Sequence, residues 1–419
     1  MDTATTVSID FKTQAANRYP AIPFELPADA DSFEVRLEGS DGVDGLVLDL
    51  GCEAPNRWCG WSGGARRSFV VTRDDATPGY LPGLEPGTWN VILGVHNVPA
   101  EGADVTVRVL SPARNAVDHG PLPEPVQRTT RGSDRGLPSP EGLTWFAGDL
   151  HAHSLHSDGD LSLSEVANQA VISGLDFLAL TEHNTTSHHA HLAAVGERHG
   201  VTLLPGQETT THRGHANAFG RIGFVDFRRP AQEWVDEVER RGGFMSINHP
   251  VDNDCAWLHR LEREPGGVEL WHGSWYRNLQ ATGALAWFER WNPESVLLGG
   301  GDFHNCSTPL RPGMPTTWIA AEECTEEALL AGLAAGRTTI TATAAIGDDG
   351  VARPILFGTP ALVREGEGLI AVDAEGWALV SARGERRIVP GPDAVLDAPV
   401  VDGPYRLEDP LRRTFALSR

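Results

Sequence analysis

The chain has 419 residues, 40% hydrophobic and 22% charged, the proportions of an ordinary globular protein with room for one large domain and one or two small ones. Thirty-four Lys and Arg against 57 Asp and Glu leave a formal charge of −23, which repels polyanions and argues against duplex nucleic acid as a partner. No apolar run approaches the roughly 20 residues that cross a bilayer, and the first twenty residues lack a basic stretch leading into an apolar one, so a cytoplasmic protein with no membrane partner is expected.

Residues 1–110 read as short strands. "FEVRLEG", "GLVLDLG", "RRSFVVTR", "TWNVILGV" and "ADVTVRVL" alternate or run apolar between Gly, Asp and Pro, the pattern of an antiparallel β-sandwich. Residues 111–142 are rich in Pro, Gly and charge and lose apolar periodicity, as a linker does. From 143 to 345 strands alternate with helices. "LTWFAGDLH", "LDFLALTEH", "VTLLPGQE", "FMSINHP", "GVELWHG" and "SVLLGGGDFH" read as strands, and "SLSEVANQAVISG", "SHHAHLAAVGERHG" and "AQEWVDEVERRGG" are among the helices. Repeated βα units predict a parallel sheet, open or closed into a barrel. Residues 346–419 return to short strands, a small β appendage.

Fourteen of the 16 histidines fall between His151 and His304. His151, His183, Glu208, His249 and Asp302 each end a predicted strand, the end at which α/β barrels carry their chemistry. In "HAH" the rings of His151 and His153 share one face of an extended backbone, and Asp158 follows where "SDG" turns. His215 in "RGHANAFG" and His304 in "GDFH" complete nine nitrogen or oxygen ligands without a thiolate. Nine exceeds what one ion uses and suits two or three divalent ions sharing a bridging carboxylate. Mixed imidazole and carboxylate favours Zn, Mn or Fe.

These motifs, "DLHAHSLHSDG", "TEHN", "GQE…GHAN", "NHP" and "GDFH", resemble those of the PHP (polymerase and histidinol phosphatase) superfamily over about residues 143–345. The wider frame is similar to its carbaryl hydrolase-like branch, whose members carry an N-terminal β domain. The resemblance implies an α/β fold with a distorted (β/α)7 TIM-like barrel and a trinuclear centre. Carried across, it implies that His151, His153, Glu208 and Asp302 hold the first ion. Asp158, His183 and His304 would hold the second, and the bridging Glu208 with His215 and His249 the third. Glu182 stands where the family usually shows Asp, at a non-ligand position, and His272 in "VELWHG" stands where Asn is common.

His212 is a rival to His215 as ligand. His188, His189 and His191 read as a solvated helix face, and His199 and His259 as exposed residues. Asp302, His304, Glu208 and Arg213 are the catalytic candidates, with Arg277 and Arg311 as further basic residues for gripping a small anionic substrate. Metal-activated water attacking a phosphorus centre makes hydrolysis of a small phosphate mono- or diester the expected reaction. Carbamate, ester or amide hydrolysis by the same centre is the alternative, and a non-catalytic metal-stabilised binding protein the reading from another class.

Overall fold

The computed structural model describes every residue except 40, 41, 348 and 349, with backbone alone at 254, 276 and 277. The chain forms two units, the first comprising Met1–Pro121, His153–Ser162 and Glu182–Ala190, the second Leu122–Ala152, Leu163–Thr181 and His191–Arg419.

In the first unit, strands β1 (Asp2–Ile9), β2 (Ala21–Leu26), β3 (Ser32–Glu38), β4 (Val47–Ala54), β5 (Arg57–Trp61), β6 (Ser68–Thr72), β7 (Gly87–Asn97) and β8 (Ala103–Leu110) build two antiparallel sheets. Their orders are β1-β8-β3-β6 and β2-β7-β4-β5. In β2 the alternation buries Ile22, Phe24 and Leu26 and exposes the residues between, as a sheet with one wet face requires. Phe24, Phe33, Leu48, Leu50, Trp89, Val91 and Val107 share one core drawn from both sheets. Phe33 meets Trp89 edge-on at 4.9 Å. Two loops from the middle of the chain, residues 153–162 and 182–190, belong to this unit.

The second unit is mixed α/β. Its strands β9 (Thr144–Asp149), β10 (Phe177–His183, whose last two residues group with the first unit), β11 (Thr202–Thr211), β12 (Gly214–Phe219), β13 (Phe244–Ile247), β14 (Gly267–His272), β15 (Val296–Gly300), β16 (Thr316–Ala321) and β17 (Thr338–Thr341) lie in the order β15-β14-β13-β12-β11-β10-β9-β16-β17. The expected parallel sheet is found only in part. β9–β10, β13–β14 and β14–β15 pair parallel, whereas β11–β12, β12–β13 and β9–β16 pair antiparallel. The cause is local: Thr211 pairs with Gly214 across a two-residue turn, and so short a connection joins only antiparallel strands. At the far edge Thr317 Oγ1 accepts from Gly299 N and donates to Gly299 O, both at 2.8 Å, so β15 meets β16 through a side chain.

Phe146, Leu150, Phe177, Leu204, Phe219, Leu298 and Ile319 form a core under this sheet, closed by Leu329 and Leu333 of the helix Glu326–Ala334. Thr325 caps that helix through Ala328 N, and Glu326 and Glu327 sit in its first turn, where acid favours the dipole. The C-terminal strands extend the same sheet, since Thr414–Ser418 pairs with β17 and then with Tyr405–Glu408. The predicted polar helix starts late: residues Ser187–Ala190 make a 3-10 turn and the helix runs Leu192–His199. His188 and His199 are buried rather than solvated, and His199 Nδ1 sits 2.8 Å from Asn168 Oδ1. His259 is half-buried, not exposed. Among the described residues no helix is long and apolar enough to cross a membrane.

Candidate metal centre

Glu208 is the hub of the second unit. It is fully buried on β11, and its Oε1 faces His151 Nε2 at 3.3 Å, His215 Nδ1 at 3.2 Å and His249 Nε2 at 3.4 Å. The antiparallel hairpin puts Asn217 opposite Glu208, so His215, two residues earlier, lies diagonally across on the same face. Asn248 Nδ2 steadies Glu208 Oε1 at 2.8 Å. Asp302 follows β15 and approaches from the other side, with Oδ1 3.2 Å from His151 Nε2.

The rings are aimed by their second nitrogens. His151 Nδ1 lies 2.7 Å from Glu269 Oε2, which turns Nε2 toward the cluster. His304 Nδ1 donates to the Asp302 carbonyl at 2.8 Å, so Nε2 is the atom with which it could hold a metal. His272 is arranged differently. Its Nδ1 accepts from Ser274 N at 3.2 Å, so the proton sits on Nε2, 3.3 Å from Asp302 Oδ2. A histidine at this position thus donates to the candidate ligand Asp302, as an asparagine amide could, and a further carboxylate–imidazole group of His249, His272 and Asp302 results.

Backbone and space serve the same geometry. His249 has φ +28° and Asp302 φ +52°, left-handed values that side chains adopt at a cost and that cluster at functional sites. A Cβ on Gly300 would lie 2.2 Å from Glu269 Oε2, and one on Gly301 2.5 Å from Asp149 Oδ2. Asp149 is wholly buried and accepts from His151 N, Gly301 N and Gly313 N at 3.1, 2.9 and 2.7 Å, pinning three segments, two of which carry the candidate ligands His151 and Asp302. Burial pushes its carboxyl up to about 6 against those donors.

Burial also opposes charge on His151, yet Asp302, Glu208 and Glu269 outweigh it and hold that ring well above its ordinary value. His249 is likewise raised, with burial overcome first by Glu208. The field is one that a cation satisfies. Donor chemistry and spacing agree: ligands about 2.1 Å from a tetrahedral ion stand about 3.4 Å apart, and those around Glu208 and Asp302 are 3.2 to 3.4 Å apart.

In the first unit His153 and His183 stack at 4.4 Å, and His183 Nε2 is 3.4 Å from Asp158 Oδ1, again a ligand-pair spacing. Glu182 is no bystander. Fully buried, it accepts from Ser154 N, Ser154 Oγ and Ser157 Oγ and so ties β10 to the loop carrying His153 and Asp158. The sandwich holds both loops. Arg66 donates to the Leu155 and Ser157 carbonyls, Trp58 Nε1 to Asn184 O at 3.0 Å, and Thr185 Oγ1 to Gly79 O at 2.7 Å.

Sequence reasoning thus missed Glu269, Asp149, Asn248 and Arg66, and noted Glu182 only as a non-ligand position. Glu269 alone carried a signal, since an acid between Val268 and Leu270 in a buried strand must have a partner. Two of the basic candidates bind backbone carbonyls. Arg213 is exposed and donates to Leu258 O at 2.8 Å, and Arg311 is buried on the Thr308 and Leu310 carbonyls. The Arg277 side chain lies outside the described residues. His212 is exposed on the β11–β12 turn, whereas His215 faces Glu208.

No protein-family model matches the chain. Over 64 residues it is 39% identical to the phosphoribosyl 1,2-cyclic phosphate 1,2-diphosphodiesterase of Eggerthella lenta, covering 15% of this chain and 24% of that one. Over 66 residues it is 41% identical to the 3',5'-nucleoside bisphosphate phosphatase of Chromobacterium violaceum, 16% and 23% of the two. A 5'-3' exoribonuclease of Haemophilus influenzae is 36% identical over 64 residues, 15% and 23%. The match spans about a quarter of the length of these curated relatives. Among solved structures, a two-domain protein containing a predicted PHP-like metal-dependent phosphoesterase from Bacteroides vulgatus has a TM-score of 0.40 at 17% identity, over 70% of this chain and 91% of that one. An amidohydrolase from Chromobacterium violaceum has 0.29 at 18%, over 38% and 88%. Likenesses this weak fix neither fold nor chemistry.

Proposed function

We propose that this chain is a PHP-like metal-dependent phosphoesterase acting on a small phosphate mono- or diester. The observation that carries the reading is Glu208 Oε1, a single buried carboxylate oxygen faced by three imidazole nitrogens from three segments at 3.2 to 3.4 Å. Three curated relatives named for phosphoester cleavage support the reaction class over the matched stretch.

In this reading His151, His153, Glu208 and Asp302 hold one ion, Asp158, His183 and His304 a second, and Glu208, His215 and His249 a third. Two or three divalent ions of the Zn, Mn or Fe type would supply an acidified water and positive charge for phosphoryl oxygens. The protein's own part is orientation. Glu269 and the Asp302 carbonyl fix the tautomers of His151 and His304, His272 holds Asp302 in register, and Asp149 locks the backbone between them. The seven-stranded barrel of the PHP family is part of the same proposal.

The test combines metal content with turnover. Purified protein is stripped with chelator, refilled with Zn, Mn or Fe, and offered p-nitrophenyl phosphate, bis-p-nitrophenyl phosphate and 1-naphthyl methylcarbamate. Two to three ions per chain with phosphoester cleavage, both lost in Asp302→Ala, are expected. Carbamate turnover alone, or less than one ion per chain and no turnover after refilling, overturns the reading.

A further inference from the structure

Beside the ligand cluster the second unit holds a pocket of about 240 Å³ that no catalytic step above uses. It opens along His249 and His272 and runs between the loop after β13 and the helix Gly283–Phe288. Val251, Leu270, Trp275, Ala281 and Ala284 give it an apolar wall. A cavity of roughly 150 Å³ takes benzene, so this volume suits one ring with a substituent and is below the roughly 300 Å³ of typical drug-sized sites.

Two polar features narrow the occupant. Trp275 Nε1 is a buried donor with no hydrogen bond among the described residues. His249 Nδ1 is buried in the same condition, and with Nε2 turned to Glu208 the proton belongs on Nδ1. Both residues line the pocket, and a buried N–H left unsatisfied carries a penalty, so an occupant that brings an acceptor is favoured. The Asp252 carboxylate in the lining disfavours a second phosphate there.

We propose that this pocket takes the leaving group of the ester, and that the group is a single flat aromatic ring bearing a hydrogen-bond acceptor. The inference rests on the phosphoesterase reading and adds the substrate class. The His249 edge places the ring next to the ligand cluster, where a phosphoester oxygen would join ring and phosphorus.

The experiment compares 4-acetylphenyl phosphate, phenyl phosphate and glycerol 1-phosphate on the metal-loaded protein, with Ala284→Trp to fill the pocket and Trp275→Phe to keep the ring but remove the N–H. The expected order of kcat/KM is acetylphenyl, phenyl, glycerol. The acetylphenyl-to-glycerol ratio should fall about tenfold or more in Ala284→Trp, and the acetylphenyl-to-phenyl ratio should fall in Trp275→Phe. Saturation-transfer NMR of 4-hydroxyacetophenone gives a readout independent of turnover, with signal in the wild type, weaker signal in Trp275→Phe and none in Ala284→Trp. Unchanged ratios, or NMR signal that persists in Ala284→Trp, overturn the pocket assignment. If no ester is cleaved the phosphoesterase reading falls, while the NMR comparison still decides whether the pocket holds such a ring.

Discussion

Glu269 Oε2 stands 2.7 Å from His151 Nδ1, while its Oε1 accepts from the backbone N of His249 at 3.2 Å. One buried carboxylate therefore orients two proposed ligands from strands 98 residues apart in sequence, His151 and His249. A carboxylate behind an imidazole also raises that ring's basicity toward a metal. Glu269→Gln retains the size and one acceptor oxygen but loses the charge. It is expected to lower metal affinity about 10- to 100-fold, read by competition with a chelating dye, while the far-UV circular dichroism spectrum is unchanged.

Gly300 lies in the way of that pair. A Cβ there would stand 2.2 Å from Glu269 Oε2 and 2.6 Å from His151 Cβ, and no left-handed φ at this residue adds to the requirement. Space alone demands glycine. Gly300→Ala is expected to cost about 1 to 3 kcal/mol of stability, the usual range for overpacking, and to lower metal stoichiometry. Denaturant midpoints measured with and without chelator check both effects.

Arg66 ties the β-sandwich to the loop that carries Asp158, a proposed ligand. Its guanidinium holds the Leu155 and Ser157 carbonyls, in the loop that ends at Asp158. It is half-buried, and burial lowers its pKa from an ordinary value so high that the charge persists at neutral pH. Arg66→Ala leaves those carbonyls short of a donor, at about 1 to 3 kcal/mol. The weakest-bound ion should then dissociate about tenfold or more readily, measured as ions retained per chain after dialysis. Retention equal to wild type would mean that Asp158 and His183 hold their places without the sandwich.

The parts of this molecule legible in its sequence are those whose partners are near in sequence or implied by pattern. Strands such as "VTLLPG" and "SVLLGG" announce themselves as apolar runs, and acids or histidines directly after them mark one end of the sheet. The mixed pairing was not legible, because the β11–β12 turn is His212-Arg213 rather than an Asn-Gly or Asp-Gly pair, so nothing announced a hairpin. Nor were the supports. Glu269 reaches across 118 residues to His151, and Arg66 across 89 to Leu155, distances over which periodicity carries no information. His199 read as exposed because its partner Asn168 sits on a different helix.

His259 offers a test of stability that avoids the proposed ligands. Its Nε2 lies 2.9 Å from Thr211 Oγ1, and its ring packs 4.9 Å from Trp234 and 5.0 Å from Trp257. Burial first, and then the positive charges of Arg213, His212 and His215, bring it down to about 4 from the ordinary 6.5. The fold therefore favours the neutral ring. Above pH 6.5 both folded and unfolded chains leave it neutral and its full contribution is present. As pH falls from 6.5 toward 4 the unfolded chain takes the proton first and stability is lost; below about 4 the folded ring charges too and the loss levels off. Because the ring is only half-buried, solvent screening trims the effect to on the order of 1 to 2 kcal/mol. His259→Phe should lose correspondingly less stability than the wild type between pH 7 and pH 5. Urea midpoints in excess chelator, which removes ion release from the comparison, measure the difference, and parallel losses in the two proteins would refute the depressed ring.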